Sequence, residues 1–463
     1  MKIFPPEPHV ALYEEGFEDR DVLQRAEVGK SLTMLVERIE DPMVVALDGG
    51  WGTGKTYFLK RWVGAHTLHN EGTATTIYFD AFANDYLSDP LPSLVSTLSE
   101  RFPSADKSTM QRIKAATFKF AKPLARIGVA MATFGATEAL APVGDAAVKA
   151  LSAEASDALE NYWAQEDGRR AAMEEFRSAL AELVAVQPEE DDQPTPAGAR
   201  LVFVVDELDR CRPDYALEVL EVIKHFFAIP GITFVLGVNL QTLENSVKAR
   251  YGTGIDASAY LRKFINVSLA LPSEIGQQHD MKDIVVVYLE HQLKEMGIPD
   301  HVANALLPHV KIVSRNNSIS IRDVGKILSA VTLLNGDILQ NKNYLRGWID
   351  VMITLLVSKV IRPEIYERLL SLSFIEEDLE NYFDATIQRR TYRIDDKYNE
   401  EFDRYTMSQF YSWLYLANGD NSLDNDTKRF IHGLFSEWSG GPNNPQLIPK
   451  IVQRDWLELF KAQ

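Results

Sequence analysis

Short apolar runs alternate with stretches of helical spacing along much of the chain. Leu201-Val202-Phe203-Val204-Val205 and Ile232-Thr233-Phe234-Val235-Leu236 are almost continuously apolar, the pattern of strands covered on both faces in a parallel sheet. Val44-Val45-Ala46-Leu47 and Thr76-Ile77-Tyr78-Phe79 read as two further strands, and Ile265-Asn266-Val267-Ser268-Leu269 as a fifth. Between the runs at 201 and 232, Leu217, Leu220, Val222 and Ile223 recur at helical intervals. Strands alternating with helices predict an α/β fold with parallel pairing. From about Gln278 onward the spacing is helical and no strand is expected.

Three segments set the expected divisions. Gln187 to Pro196 holds three prolines and four consecutive acids, a composition that neither continues a helix nor buries itself, and so reads as a linker. Leu124 to Val143 is rich in Ala, Gly, Val and Ile, but Arg126 and Glu138 interrupt it and its longest uncharged run, Ile127 to Thr137, is 11 residues. A membrane span needs about 20, so a buried or interfacial helical hairpin is expected, turned near Pro142-Val143-Gly144. Val351 to Ser358, between Asp350 and Lys359, suits a core helix. The expected organisation is a discontinuous α/β core over 1–97 and 166–275, a hydrophobic helical insertion over 98–165, a helical lid over 276–383 and a C-terminal helical region over 384–463.

The 463 residues carry 48 Lys plus Arg against 66 Asp plus Glu, a net charge of -18. Such a field repels nucleic acid and anionic membranes at long range, which counts against a DNA-acting motor. The single cysteine, Cys211, removes any intrachain disulfide and fits a reducing compartment. Met1-Lys2-Ile3-Phe4-Pro5-Pro6 lacks the apolar run of a secretory signal. A soluble, cytoplasmic protein is expected.

Gly49-Gly50-Trp51-Gly52-Thr53-Gly54-Lys55-Thr56 matches G-x-x-x-x-G-K-[ST], after a strand and before Tyr57-Phe58-Leu59. In such a loop successive N–H groups and the helix N-terminus face phosphate oxygens, which makes Gly49 through Tyr57 the candidate nucleotide contacts. Lys55 is expected to reach the β- and γ-phosphates, and the Thr56 hydroxyl to ligate Mg²⁺. Val202-Phe203-Val204-Val205-Asp206-Glu207 delivers two acids at a strand end. Asp206 is the candidate metal ligand and Glu207 the candidate general base for an attacking water. Asn239, after the strand at 234–238, is placed to touch the γ-phosphate or that water. Asn341-Lys342-Asn343-Tyr344 lacks the acid of a guanine-reading motif, which favours ATP. His66 and His69 stand at helical spacing with no carboxylate or thiol partner evident, and read as surface residues.

Asp206-Glu207-Leu208-Asp209-Arg210-Cys211-Arg212-Pro213 resembles the signature of the KAP family of P-loop NTPases. Asp21-Val22-Leu23-Gln24-Arg25 is similar to that family's leader, and Tyr78-Phe79-Asp80-Ala81-Phe82 to its second strand. Tyr260-Leu261-Arg262-Lys263-Phe264-Ile265 resembles its tyrosine-leucine-lysine element, and Ser320-Ile321-Arg322-Asp323-Val324 a later motif able to supply a sensor arginine, Arg322. The family usually has Asp where Glu207 stands, Trp for Phe82 and often Asp for Asn239. The resemblance implies an additional-strand, AAA-like and STAND-related core, ATP as substrate and, for bacterial members, phage exclusion or signalling assemblies. Many members carry transmembrane helices where this chain has Leu124 to Val143, so a soluble member is expected.

The leading expectation is an Mg²⁺-dependent ATPase whose nucleotide state drives assembly or conformational change with an effector or sensor protein, acting as a homo-oligomer. The alternative is a non-hydrolysing, ATP-bound scaffold. A cation from a neighbouring subunit often completes such sites, and Arg210, Arg262, Lys263 and Arg322 are the candidates here.

Overall fold

The computed structural model describes residues 9–18, 21–102, 107–120, 168, 170–184, 200–276, 281–340, 343–385, 401–419, 423–436 and 444–458. The expected hairpin at Leu124 to Val143 and the linker at Gln187 to Pro196 lie outside them. Among the described residues no helix is long and apolar enough to cross a membrane.

The first half alternates as the apolar runs require: α1 (Ala26–Arg38), β1 (Met43–Asp48), α2 (Lys55–Leu68), β2 (Thr75–Asp80), α3 (Ala81–Asn84), α4 (Pro90–Arg101) and α5 (Lys107–Phe120). After a helix α6 over 170–184 come β3 (Leu201–Asp206), α7 (Pro213–Phe226), β4 (Ile232–Val238), α8 (Leu240–Tyr251), α9 (Ala257–Leu261) and β5 (Val267–Ala270). The sheet order is β2-β3-β4-β1-β5, and every pairing is parallel. β4 therefore stands between the strand that leads into the glycine-rich loop and the strand that delivers Asp206, the additional-strand arrangement of AAA-like P-loop proteins.

Successive side chains point to opposite faces of a strand, and the two faces bury separate cores. Leu201, Phe203 and Val205 join Phe234 and Leu236 under α4 to α8, whereas Val202 and Val204 join Val45, Leu47 and Val235 under α1 and α2. The first face carries an aromatic cluster in which Phe203 and Phe234 stack at 4.9 Å and Phe227 meets both edge-on. Since β3 and β4 are buried at every position, their runs are unbroken.

His66 corrects its expected place on the surface. It is fully buried, because α2 is covered by the sheet on one side and by α1 on the other. Thr33 Oγ1 accepts from Trp62 Nε1 and Asn70 Nδ2, so its own proton goes to His66 Nδ1 at 3.1 Å. That leaves the ring proton on Nε2, 3.0 Å from Glu37 Oε1; burial lowers the imidazole pKa against the pull of Glu37. Half-exposed His69 lies 3.4 Å from Glu18.

A two-residue antiparallel pair, β6 (Glu274–Ile275) with β7 (Lys282–Asp283), opens the second half, where no strand is expected. The rest is helical: α10 (Ile284–Glu295), α11 (Asp300–Val313), α12 (Ile321–Thr332), α13 (Gly336–Gln340), α14 (Arg346–Ile361), α15 (Pro363–Ser371), α16 (Glu376–Phe383), α17 (Glu401–Asn418), α18 (Asn425–Phe435) and α19 (Ile448–Val452). One apolar cluster runs from Ile284 to Val452. α14 is its axis, with every residue from Ile349 to Ser358 buried.

Candidate functional site

Parallel register brings the carboxyl ends of the strands together. Asp80 lies against Asp206, Asp206 against Gly237, and Asp48 against Val238. The glycine-rich loop bridges β1 and α2 at this edge, with Gly52 at φ 82° and Gly54 at φ 87°, the left-handed region open to glycine at little steric cost. A Cβ added at Gly52 would stand 2.8 Å from both Arg322 Cβ and Ser320 Oγ. The N-terminus of α12 thus packs directly on the loop, held by a capping box between Ser320 and Asp323.

Inside the loop the Lys55 ammonium donates to the carbonyls of Gly49 and Gly50, the latter at 3.0 Å. Its pKa is lowered chiefly by burial, against the opposing pull of Asp209, Asp206 and Asp48. Asp206 is 1% exposed. It accepts from the Tyr78 hydroxyl at 2.8 Å, from the Glu207 N–H at 2.9 Å and from the Thr56 hydroxyl. Burial nevertheless pushes its pKa up to about 6, the hydrogen bonds opposing. A Cβ at Gly237 would lie 2.3 Å from Asp206 Oδ1, so that glycine makes the space the carboxylate fills. A hydroxyl and a buried carboxylate one hydrogen bond apart, the carboxylate's pKa raised by burial even with Lys55 nearby, are hard oxygen donors that fit Mg²⁺.

Glu207 takes φ 60°, ψ 24° at the start of the one-turn helix Leu208–Arg210, uncommon for a residue with a side chain. Its Oε1 lies 2.6 Å from Arg210 Nη1. The same turn is tied to the loop, since Trp51 Nε1 donates to Asp209 Oδ2 at 2.7 Å. Asn239 caps α8, its side-chain oxygen accepting from the Thr242 N–H at 3.2 Å. The cap uses the oxygen and leaves the amide donors for another acceptor.

The description "KAP family P-loop domain" matches residues 25–336, more than half of the chain. The chain belongs to the KAP family. No functionally curated protein matches it. Among solved structures it is similar to the Aeropyrum pernix ORC2 protein in ADPNP–ADP complexes, at TM-score 0.34 and 13% identity over 97% of this chain and 96% of that one. It is also similar to Cdc6p from Pyrobaculum aerophilum, at TM-score 0.36 and 12% identity over 96% and 98%. Likeness at this level carries nothing about ligand or partner.

In this KAP protein the four candidate cations part company. Arg210 is already paired with Glu207. Lys263 borders a cavity of about 170 Å³ together with Pro42, Met43 and Ile232. Those residues begin or precede β1 and β4, so Lys263 sits at the opposite end of the sheet from Asp48 and cannot reach its own chain's loop. Arg262 in the same element bonds Ser258 Oγ at 3.2 Å. Arg322 is exposed beside Gly52.

Three residues escape the sequence reading. Tyr78 and Gly237 shape the position of Asp206, and the only written signal is a glycine inside an otherwise apolar strand, which marks a close approach. Arg25, seen only as part of a leader, is 4% exposed with neither terminal nitrogen bonded. α1 and α2 run side by side with an offset of 33 residues, as Gly29 with Trp62 and Thr33 with His66 show. That register sets Arg25 opposite Phe58 of α2, a turn beyond Lys55.

Proposed function

We propose that this KAP protein is an Mg²⁺-dependent ATPase whose nucleotide state drives assembly or conformational change with partner proteins, in a bacterial defence or signalling system. The observation that carries the reading is the convergence of Lys55, Thr56, Asp206 and Glu207 at one edge of the sheet, with the α12 N-terminus packed on Gly52. Lys55 would neutralise the β- and γ-phosphates; Thr56 and Asp206 would hold Mg²⁺, whose charge supports phosphoryl transfer. Glu207 would take the proton of the attacking water. The absence of a guanine-reading Asn-Lys-x-Asp in the sequence supports ATP over GTP. Contact between the loop and α12 supports a device in which the helical half responds to what the loop holds.

Calorimetric titration with ATP and Mg²⁺ tests the binding step: Lys55→Ala should abolish binding, and unchanged affinity would remove the assignment. Glu207→Gln should keep binding and lose steady-state phosphate release. One observation favours the alternative of a static, ATP-bound scaffold: the candidate base is engaged by Arg210. Equal phosphate release from wild type and Glu207→Gln would favour it.

A further inference from the structure

We propose that Arg210 discriminates ATP from ADP within its own chain, by exchanging the Glu207 carboxylate for the γ-phosphate. The inference rests on the nucleotide-binding reading above and adds a residue that reads the state of the nucleotide.

Among the described residues Glu207 is the one ion-pair partner of Arg210. The pair is anchored from its backbone. Arg210 N–H donates to the Glu207 carbonyl at 3.0 Å, and Glu207 N–H donates to Asp206 Oδ1, so the main chain is fixed while the two side chains are free to part. Both keep access to water, at 32% exposure for Arg210 and 16% for Glu207. Breaking the pair therefore strands neither charge in an apolar interior. Arg210 also repels the Lys55 ammonium, opposing Asp206 and Asp209, which attract it, so its guanidinium lies near the loop that Lys55 occupies.

A terminal phosphate carries more negative charge than one carboxylate and presents several oxygens to a planar fork of donors. It is the stronger acceptor for Arg210 when the loop holds a triphosphate, and it is missing from a diphosphate. One exchange then has two consequences: the γ-phosphate gains a cation in cis, and the Glu207 carboxylate is released. The loop is mechanically joined to this exchange through Trp51, whose indole is bonded to Asp209 in the same turn.

Competition between two anions for one cation makes a signed forecast. Calorimetric titrations with Mg²⁺ and either ADP or adenylyl imidodiphosphate should show the wild type preferring the triphosphate analogue. Arg210→Gln should weaken analogue binding by about tenfold or more, the worth of a charge-assisted hydrogen bond, and leave ADP affinity unchanged. Glu207→Gln, by removing the competitor, should strengthen analogue binding, and only while Arg210 is present; the double variant should match Arg210→Gln alone. Arg210→Lys, which keeps charge without the fork, should fall between. If Arg210→Gln changes both affinities equally, or if Glu207→Gln tightens the analogue equally in the Arg210→Gln background, the exchange is refuted. Arg210→Gln with unaltered analogue affinity but turnover lost in a concentration-dependent way would assign Arg210 to a neighbour's site instead, and would also refute it. Failure of the wild type to bind either nucleotide would overturn the underlying reading, and this inference with it.

Discussion

Gly237→Ala tests whether the Asp206 carboxylate owes its position to a missing side chain. An added Cβ would lie 2.3 Å from Asp206 Oδ1 and 2.6 Å from Leu59 Cδ1, distances that real contacts do not reach, so one neighbour must move. Both are buried, at 1% for Asp206 and 0% for Leu59, and β4 is held in register on both sides by β3 and β1. Overpacking of this kind costs about 1–3 kcal/mol. If the carboxylate gives way, the buried Tyr78 hydroxyl loses its acceptor, which adds about 1–3 kcal/mol. The expected loss is therefore about 2–6 kcal/mol in urea denaturation, accompanied by loss of the Mg²⁺-dependent part of nucleotide affinity in calorimetry. Gly254→Ala, where a Cβ would meet nothing within 4 Å, is the control and should stay within about 0.5 kcal/mol of wild type. A Gly237→Ala protein as stable as the control, with its Mg²⁺ dependence intact, would mean that Asp206 is not held where the geometry places it.

Gly52→Ala introduces a side chain at φ 82° and against Ser320 and Arg322; it should cost about 1–2 kcal/mol and raise amide exchange at Ser320 to Asp323, and unchanged exchange there would show that α12 does not lean on the loop. Asp350, 2% exposed in α14 and accepting from Tyr405, has its pKa pushed up to about 6 by burial. The folded protein therefore holds this proton where the unfolded chain has released it, and stability falls as pH rises from about 4 to 6. The shift corresponds to about 3 kcal/mol, so Asp350→Asn should gain on wild type in denaturant midpoint across that window, and a difference independent of pH would refute the assignment.

The strands themselves were legible because the sheet is parallel and covered on both faces, so that β3 and β4 must be written as apolar runs, whereas apolar runs carry no information on their order. β5 was read two residues early for a physical reason. Asn266 pairs with Val44 twice, its N–H donating to the Val44 carbonyl and its side-chain oxygen accepting from the Val44 N–H, so it continues the ladder without being part of the strand. The loop residues announced themselves because local spacing alone builds a phosphate cradle. What stayed hidden was every contact made by the fold. His66 reads as solvated until Thr33 and Glu37 arrive from α1. Trp51 meets Asp209 across 158 residues of sequence, and Ser320 reaches Gly52 from the helical half.

The distribution of acids at the carboxyl edge supplies an argument that no single motif contains. Among the described residues five carboxylates gather there, and four are engaged by donors or cations of the chain itself. Asp48 accepts from the Leu240 N–H at 2.9 Å and Asp80 from the Ala83 N–H at 2.9 Å, at the opening turns of helices whose dipoles favour negative charge. Glu207 has Arg210, and Asp209 has the Trp51 indole beside Lys55. Asp206 differs in being almost wholly buried while its hydrogen-bond donors, Tyr78, Thr56 and a backbone N–H, are all neutral. Neutral donors and the field of Lys55, whose ammonium is bonded to the Gly49 and Gly50 carbonyls, still leave the buried carboxylate with a raised pKa, short of the countercharge an ionised carboxylate needs in a low-dielectric setting. A divalent cation shared with the Thr56 hydroxyl would supply it, and phosphate oxygens entering the loop would complete that cation's coordination. On this account Mg²⁺ and nucleotide should bind with mutual dependence. Strong, nucleotide-independent binding of Mg²⁺ at this edge, measured by calorimetry on wild type and Asp206→Asn, would contradict it.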